Sequence, residues 1–183
     1  MTGSMPGSWP SCCARIDGLR VLRQEVRREL LTEARKHRAW KLLGQIPFIG
    51  PIRAALLIAL IQTPHRFRTK RQLWTYSGFG IETHSSGEQR SVNGELRRAK
   101  KPASIRGLNR NHNHDLKNLF KGAATVASAK AGPFQEFYAA LVAKGVRPEM
   151  ARLTPARKIV AITLIVWKKG VSFDAKHLKP QTA

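Results

Sequence analysis

The segment from Thr154 to Lys169 limits what this chain can fold into more than any other. Once wound at helical period, its Ile159, Val160, Ile162, Leu164, Val166 and Trp167 leave almost no polar face. Pro155 stands where a first helical turn accepts proline, and Gly170 stands where a helix stops. A helix apolar nearly all round is stable in water only when other elements surround it. The expectation is a mainly α chain with this helix, from about Thr154 to Lys169, central to its core.

The other segments supply the surrounding layer. Leu19, Leu22, Val26 and Leu30 fall on one face of a helix predicted from about Ala14 to Leu43. That stripe degrades at Ala34 and His37, which suits a short coiled-coil-like linker packing against a partner helix. Residues 1–13, rich in Gly, Ser and Pro, read as a disordered leader. The order Leu43-Gly44, Ile49-Gly50 and Pro51 outlines a helix end, a tight turn and a new helix running to about Gln62. This is the pattern of a helix-hairpin-helix, whose second helix turns its first amides towards a phosphate, here beside Gly50 and Arg53. Two apolar helices joined by a glycine turn are also ordinary core architecture, and both readings stand. Thr69 is predicted to cap a helix over Lys70–Tyr76. Phe79 to Val92 is the best candidate for β structure. Further helices are expected over about Asp115–Lys130, and from Pro133 with Phe134, Phe137, Tyr138 and Leu141 facing one way. A body over residues 44–178 and a tail over 179–183 complete the organisation.

Charge decides the class of partner. Lys and Arg number 33 against 11 Asp and Glu, leaving +22. A field of that sign attracts polyanions, nucleic acid first among them. The longest apolar run, Ala54 to Ile61, is far shorter than the roughly 20 residues a membrane-spanning helix requires. No secretory signal is evident, and the adjacent Cys12 and Cys13 suit neither a disulfide framework nor a zinc site. A cytoplasmic protein with reduced thiols in a loose tail is the expectation.

Between Arg90 and Lys121 lie Arg90, Arg97, Arg98, Lys100, Lys101, Arg106, Arg110, Lys117 and Lys121 against only Glu95 and Asp115. Asn109 stands within this run and joins the arginines and lysines as a phosphate-contact candidate. Just upstream is Thr83-His84-Ser85-Ser86-Gly87. A serine there, Ser86 or with less reason Ser85, could attack a phosphodiester if a base took its proton and the arginines stabilised the oxyanions. By composition the same residues are simply a polar turn, and that alternative stays open. A two-metal carboxylate site is not in prospect, because four of the acids, Asp17, Glu25, Glu29 and Glu33, sit among cations on the first helix. No metal or other cofactor is expected for this chain. Asn111-His112-Asn113-His114-Asp115 lacks metal-ligand spacing and is better taken as a helix start capped by Asn113 or Asp115. Tyr76 and Tyr138 could be nucleophiles and Trp40 and Trp74 could stack on bases, although core packing is the commoner fate of such side chains.

Several of these landmarks occur in an order that resembles one family. Ile46-Pro47-Phe48-Ile49-Gly50-Pro51, Arg66-Phe67, Arg71-Gln72-Leu73, Tyr76-Ser77-Gly78, Ser86-Gly87 and Arg106-Gly107-Leu108-Asn109 are similar to the C-terminal domain of insertion-sequence transposases of the IS-one-ten family. Ala123-Ala124, Phe137-Tyr138, Lys144-Gly145, Ala156-Arg157-Lys158 and Trp167-Lys168 continue the match, over about residues 40–180. The resemblance implies DNA transposition by cutting and rejoining strands through a covalent phosphoserine, with Ser86 as the nucleophile. It implies a separate RuvC-like domain with four acidic ligands for divalent metal, homo-oligomers, and in some members a guide RNA. The sequence departs from the pattern in two places. The acidic domain has no counterpart ahead of the linker helix, so a truncated form is expected, one that could associate with a full-length transposase. Position 48 is Phe where the family's hairpin usually has Gly. A non-catalytic DNA- or RNA-binding module is the rival reading, and a nucleoid-associated bacterial location accompanies either.

Overall fold

The computed structural model describes residues 9–84, 89–92, 95–98 and 104–174. The elements in chain order are α1 (Trp9–Lys36), α2 (Ala39–Leu43), α3 (Pro51–Ile61), a 3₁₀ turn (Pro64–Arg66) and α4 (Lys70–Tyr76). Four short strands follow: β1 (Ile81–His84), β2 (Gln89–Val92), β3 (Glu95–Arg98) and β4 (Ser104–Leu108). Then come α5 (His114–Ala129), α6 (Pro133–Ala143) and α7 (Pro148–Lys169). The chain is mainly helical, as the sequence leads one to expect.

Helix α7 is the centre. Ile159, Val160 and Val166 are completely buried, and Ile162, Leu164 and Trp167 nearly so. Helices α2, α4, α5 and α6 and the 3₁₀ turn all pack on it. Its start differs from expectation: the helix begins at Pro148, and Pro155 lies inside it rather than in its first turn. A proline there forfeits one backbone hydrogen bond and strains the preceding turn. Pro155 is itself buried, so packing holds the helix together across the break.

The first helix also departs from the sequence reading. It starts at Trp9, and Cys12 and Cys13 lie within it rather than in a loose tail, Cys13 being an exposed free thiol. It stops at Lys36 instead of continuing to Leu43. His37 explains the interruption, because its Nδ1 accepts from the Ala39 amide (3.1 Å) and so satisfies the first turn of α2. The His37 ring meets Trp167 edge-on at 6.2 Å. Packing of α1 on the body begins only near its end, where Ala34 is buried and α2 and α3 lie alongside. Leu19, Leu22 and Val26 are 65%, 55% and 54% exposed, so nothing among the described residues covers that stripe.

Local signals elsewhere are obeyed. Thr69 and Gln72 form a reciprocal capping box at α4, and the Asn113 side chain accepts from the Leu116 amide at the start of α5. In α6 only Phe134 is buried; Tyr138 is half-buried with the Arg152 guanidinium 6.0 Å from its ring, so it is not a core residue.

Candidate nucleic-acid interface

The Gly44–Gly50 turn joins α2 to α3. Phe48 occupies the left-handed region at φ 68°, a conformation that strains any residue with a Cβ. Two contacts hold it there. Its carbonyl accepts from Arg53 Nη1 at 2.9 Å, and its ring packs edge-on against Phe134 at 6.0 Å. The positive φ fits a position that more usually holds glycine. Gly50 is exposed, with no heavy atom within 4 Å of where a Cβ would stand. It adopts an extended conformation and precedes Pro51 at the start of α3. Gly50 and Pro51 thus stand open to solvent at the start of α3. Arg53 is largely committed inward: besides Phe48 it lies against α5, where a Cβ at Gly122 would come within 3.1 Å of Nη2.

From α4 the chain enters the β segment through a narrow neck. Ser77 is buried and its hydroxyl donates to the Leu73 carbonyl at 2.6 Å. Gly78 turns with φ 75°, and a Cβ there would stand 2.6 Å from the His112 ring; at Gly80 it would stand 2.6 Å from Thr75 Oγ1. Both places need glycine for close approach. On the return, the Asn109 amide donates to the Gly80 carbonyl (2.9 Å), Asn109 Nδ2 to the carbonyls of Thr75 (3.2 Å) and Asn111 (2.8 Å), and the Asn113 amide to the Tyr76 carbonyl (2.9 Å). Asn109 thus spends both side-chain donors on closing the neck, not on a ligand. Arg110 beside it is exposed.

Beyond the neck, β1 pairs antiparallel with β4, and β2 with β3. Glu82 faces Gly107 and Thr83 faces Ile105, which makes Arg106 the extra residue of a bulge. In the second ribbon Arg90 is the register partner of Arg97, and Gln89 of Arg98. Ser85, Ser86 and Gly87 fall between β1 and β2, and Lys100 and Lys101 between β3 and β4; all five lie outside the described residues. Asn93 and Gly94, between β2 and β3, do so too. As a residue pair they are the commonest two-residue hairpin connection, a signal in the sequence for these strands.

Among the described residues no three of His, Cys, Asp and Glu converge as metal ligands would. The rings of His112 and His114 touch at 4.5 Å, closer than one intervening residue suggests, because His112 lies in a loop ahead of α5. His112 Nδ1 lies 2.7 Å from the Asn109 carbonyl, which assigns the proton to that nitrogen and leaves Nε2 buried without a partner among the described residues. His112 packs against the neck.

Residues 40–139 match the transposase IS116/IS110/IS902 family, more than half of the chain. The chain belongs to this transposase family. A comparison with curated proteins gives no match. The matched residues take in the α2–α3 turn, the neck, both ribbons, α5 and part of α6, while all of α1 and all of α7 lie beyond them. Among the described residues no helix is long and apolar enough to cross a membrane.

Within the transposase match the structure brings out cations that the sequence reading passed over. Arg66, Arg68, Lys70 and Arg71 are exposed along the 3₁₀ turn and the start of α4. The signal was five basic residues among the seven from His65 to Arg71. Trp74, half-buried beside them, donates from Nε1 to the Arg157 carbonyl at 2.9 Å. Lys70 Nζ and the Arg157 guanidinium lie 5.7 and 5.9 Å from its ring centroid. Burial lowers the pKa of Arg157 and of Lys158 from their ordinary values, and Lys158 Nζ lies 4.2 Å from the Phe137 ring.

Proposed function

We propose that this chain is the DNA-handling part of a transposase that cuts and rejoins strands through Ser86. The observation that carries the reading is the family match across residues 40–139, which spans the Ser86-Gly87 pair and the basic segment beside it. The covalent step is a phosphoryl transfer. Ser86 Oγ bonds to phosphorus as the bond to a deoxyribose oxygen breaks. The serine proton leaves to a base, for which His84 at the end of β1 is the nearest candidate, and the departing oxygen takes up a proton. Arg90, Arg97, Arg98 and Arg106, on strands that flank the serine connector in sequence, are the cations to offset the oxyanions. The α2–α3 turn serves as a helix-hairpin-helix, with Gly50 and the first amides of α3 against a phosphate and Arg53 bracing the turn.

The acids present do not fit a divalent metal, so no step of this reading runs through one in these residues. Carboxylates for such a metal would come from a separate domain or chain. The bare stripe of α1 seats a second copy or a longer transposase. A guide RNA and a nucleoid location in the bacterial cytoplasm remain part of the proposal. The scarcity of acids favours one other reading, a nucleic-acid-binding module without catalysis.

Nicked DNA carrying the element's end decides between them. The catalytic reading expects a covalent protein–DNA adduct, lost in Ser86→Ala while binding affinity is kept. No adduct in any condition, including with a RuvC-like domain added, overturns it.

A further inference from the structure

We infer that the face formed by the 3₁₀ turn, α4 and the adjoining part of α7 is a second DNA contact, one that grips the backbone of duplex DNA with residues outside the serine segment. The inference rests on the reading of the chain as a DNA-handling transposase domain.

Arg66, Arg68, Lys70 and Arg71 are exposed in a row of six residues, and both the 3₁₀ turn and α4 pack on α7. No Asp or Glu occurs between Ala34 and Ile81, nor between Met150 and Phe173 on the α7 side. These stretches therefore bring no carboxylate of their own to neutralise the face. By contrast, Asp17 and Glu33 on α1 pair with Arg20 and Lys36 at 3.0 and 2.7 Å. Cations crowded together without local acids repel one another, and an external polyanion relieves that repulsion.

Two of the cations are held in place by aromatic rings. The Arg66 guanidinium lies 5.6 Å from the Phe67 centroid and 5.3 Å from that of Tyr76, and these two rings are themselves in contact at 5.5 Å. Lys70 lies against Trp74, whose other cation is Arg157. Arg157 is fixed in turn by donating from Nε to the Phe79 carbonyl at 2.8 Å. Stacked cations lose less freedom on binding than free ones. The same arrangement says what the face reads. The Trp74 indole N–H is spent inside the protein and its ring is occupied by the chain's own cations. It is not free to stack on a base, so contact is to phosphates and carries no sequence preference.

The test uses the full chain and two unrelated 30-base-pair DNA duplexes, with anisotropy read across a salt series. The combined variant Arg66→Gln, Arg68→Gln, Lys70→Gln, Arg71→Gln is compared with a charge-matched variant on α1: Arg20→Gln, Arg23→Gln, Arg27→Gln, Arg28→Gln. Circular dichroism melting confirms that each is folded. The α4-side variant is expected to lower the slope of log affinity against log salt by about 3–4, since each lost phosphate contact removes about 0.9. Its affinity should fall on the order of 100-fold on both duplexes, with the α1 variant losing far less. Equal losses in the two variants overturn the inference, as does a loss confined to one of the two sequences. Wild-type chain that binds no DNA sinks the DNA reading as a whole. Wild-type binding with an unchanged α4-side variant sinks this inference alone.

Discussion

Helices α1 and α7 both carry apolar residues at helical spacing, yet their fates are opposite. In α7 the large apolar side chains are almost all sealed from water by five neighbouring elements. In α1 Ile16, Leu19, Val21, Leu22 and Val26 are between 49% and 65% exposed. The spacing of apolar residues therefore says which face of a helix wants cover, and nothing about who provides it. The body from Ala39 to Lys169 supplies its own cover. The first two-thirds of α1 must find it elsewhere or remain a bare helix held by its own hydrogen bonds.

Mutation can break or sharpen this contrast. The largest effect is expected from Phe120→Ala, because Phe120 is fully buried on α5 and its ring meets Phe79 at 6.4 Å. A loss of about 3–5 kcal/mol in urea unfolding is expected. Leu22→Ala on α1 should stay within about 0.5 kcal/mol. Similar costs at the two positions would end the distinction between a self-covered and an uncovered helix.

Gly78→Ala comes next, at about 2–3 kcal/mol, combining an unfavourable positive φ with a Cβ driven against His112. In a His112→Ala background the added cost should shrink to the backbone part, about 1 kcal/mol. An undiminished cost there would mean that the ring contact is not what makes the neck tight.

Pro155→Ala is expected to stabilise. An interior proline is disfavoured against alanine by about 3 kcal/mol, and loss of the buried ring takes back part of this. A net gain of about 1 kcal/mol in thermal melting would show that α7 is held by packing against its own helical preference. The smallest global effect belongs to Gly18→Ala, where a Cβ meets nothing within 4 Å. It should slow amide exchange across α1 by strengthening the helix about 1 kcal/mol locally, with the melting of the body unchanged. A raised melting temperature of the body would instead show that α1 and the body unfold as one.

The residues explain what could be foreseen. Thr69 with Gln72, and Asn113 ahead of Leu116, fix helix starts through bonds spanning three residues, so the sequence shows them directly. Pro155 misled because two prolines satisfy the local rule for a first turn; Pro148 is the one that opens the helix, and Pro155 lies buried inside it beside Ala151 and Ala156. The break at His37 depends on a side-chain cap that a period count does not register. At the candidate interface, the basic character of the Arg90–Lys121 run was plain from charge alone. That Asn109 closes the neck and that Trp74 is already occupied were not, since both depend on partners more than 30 residues away.

The neck has a consequence for how such chains can diverge. Strand β1 leaves and β4 returns side by side, with Gly80 bonded to Asn109 and Tyr76 to Asn113. Everything from Ile81 to Leu108 is therefore a cassette inserted at one closed joint. Lengthening it costs little, since closure entropy grows only as the logarithm of loop length and the joint is already made. Related chains can exchange or extend this segment while the helical body keeps its packing unchanged.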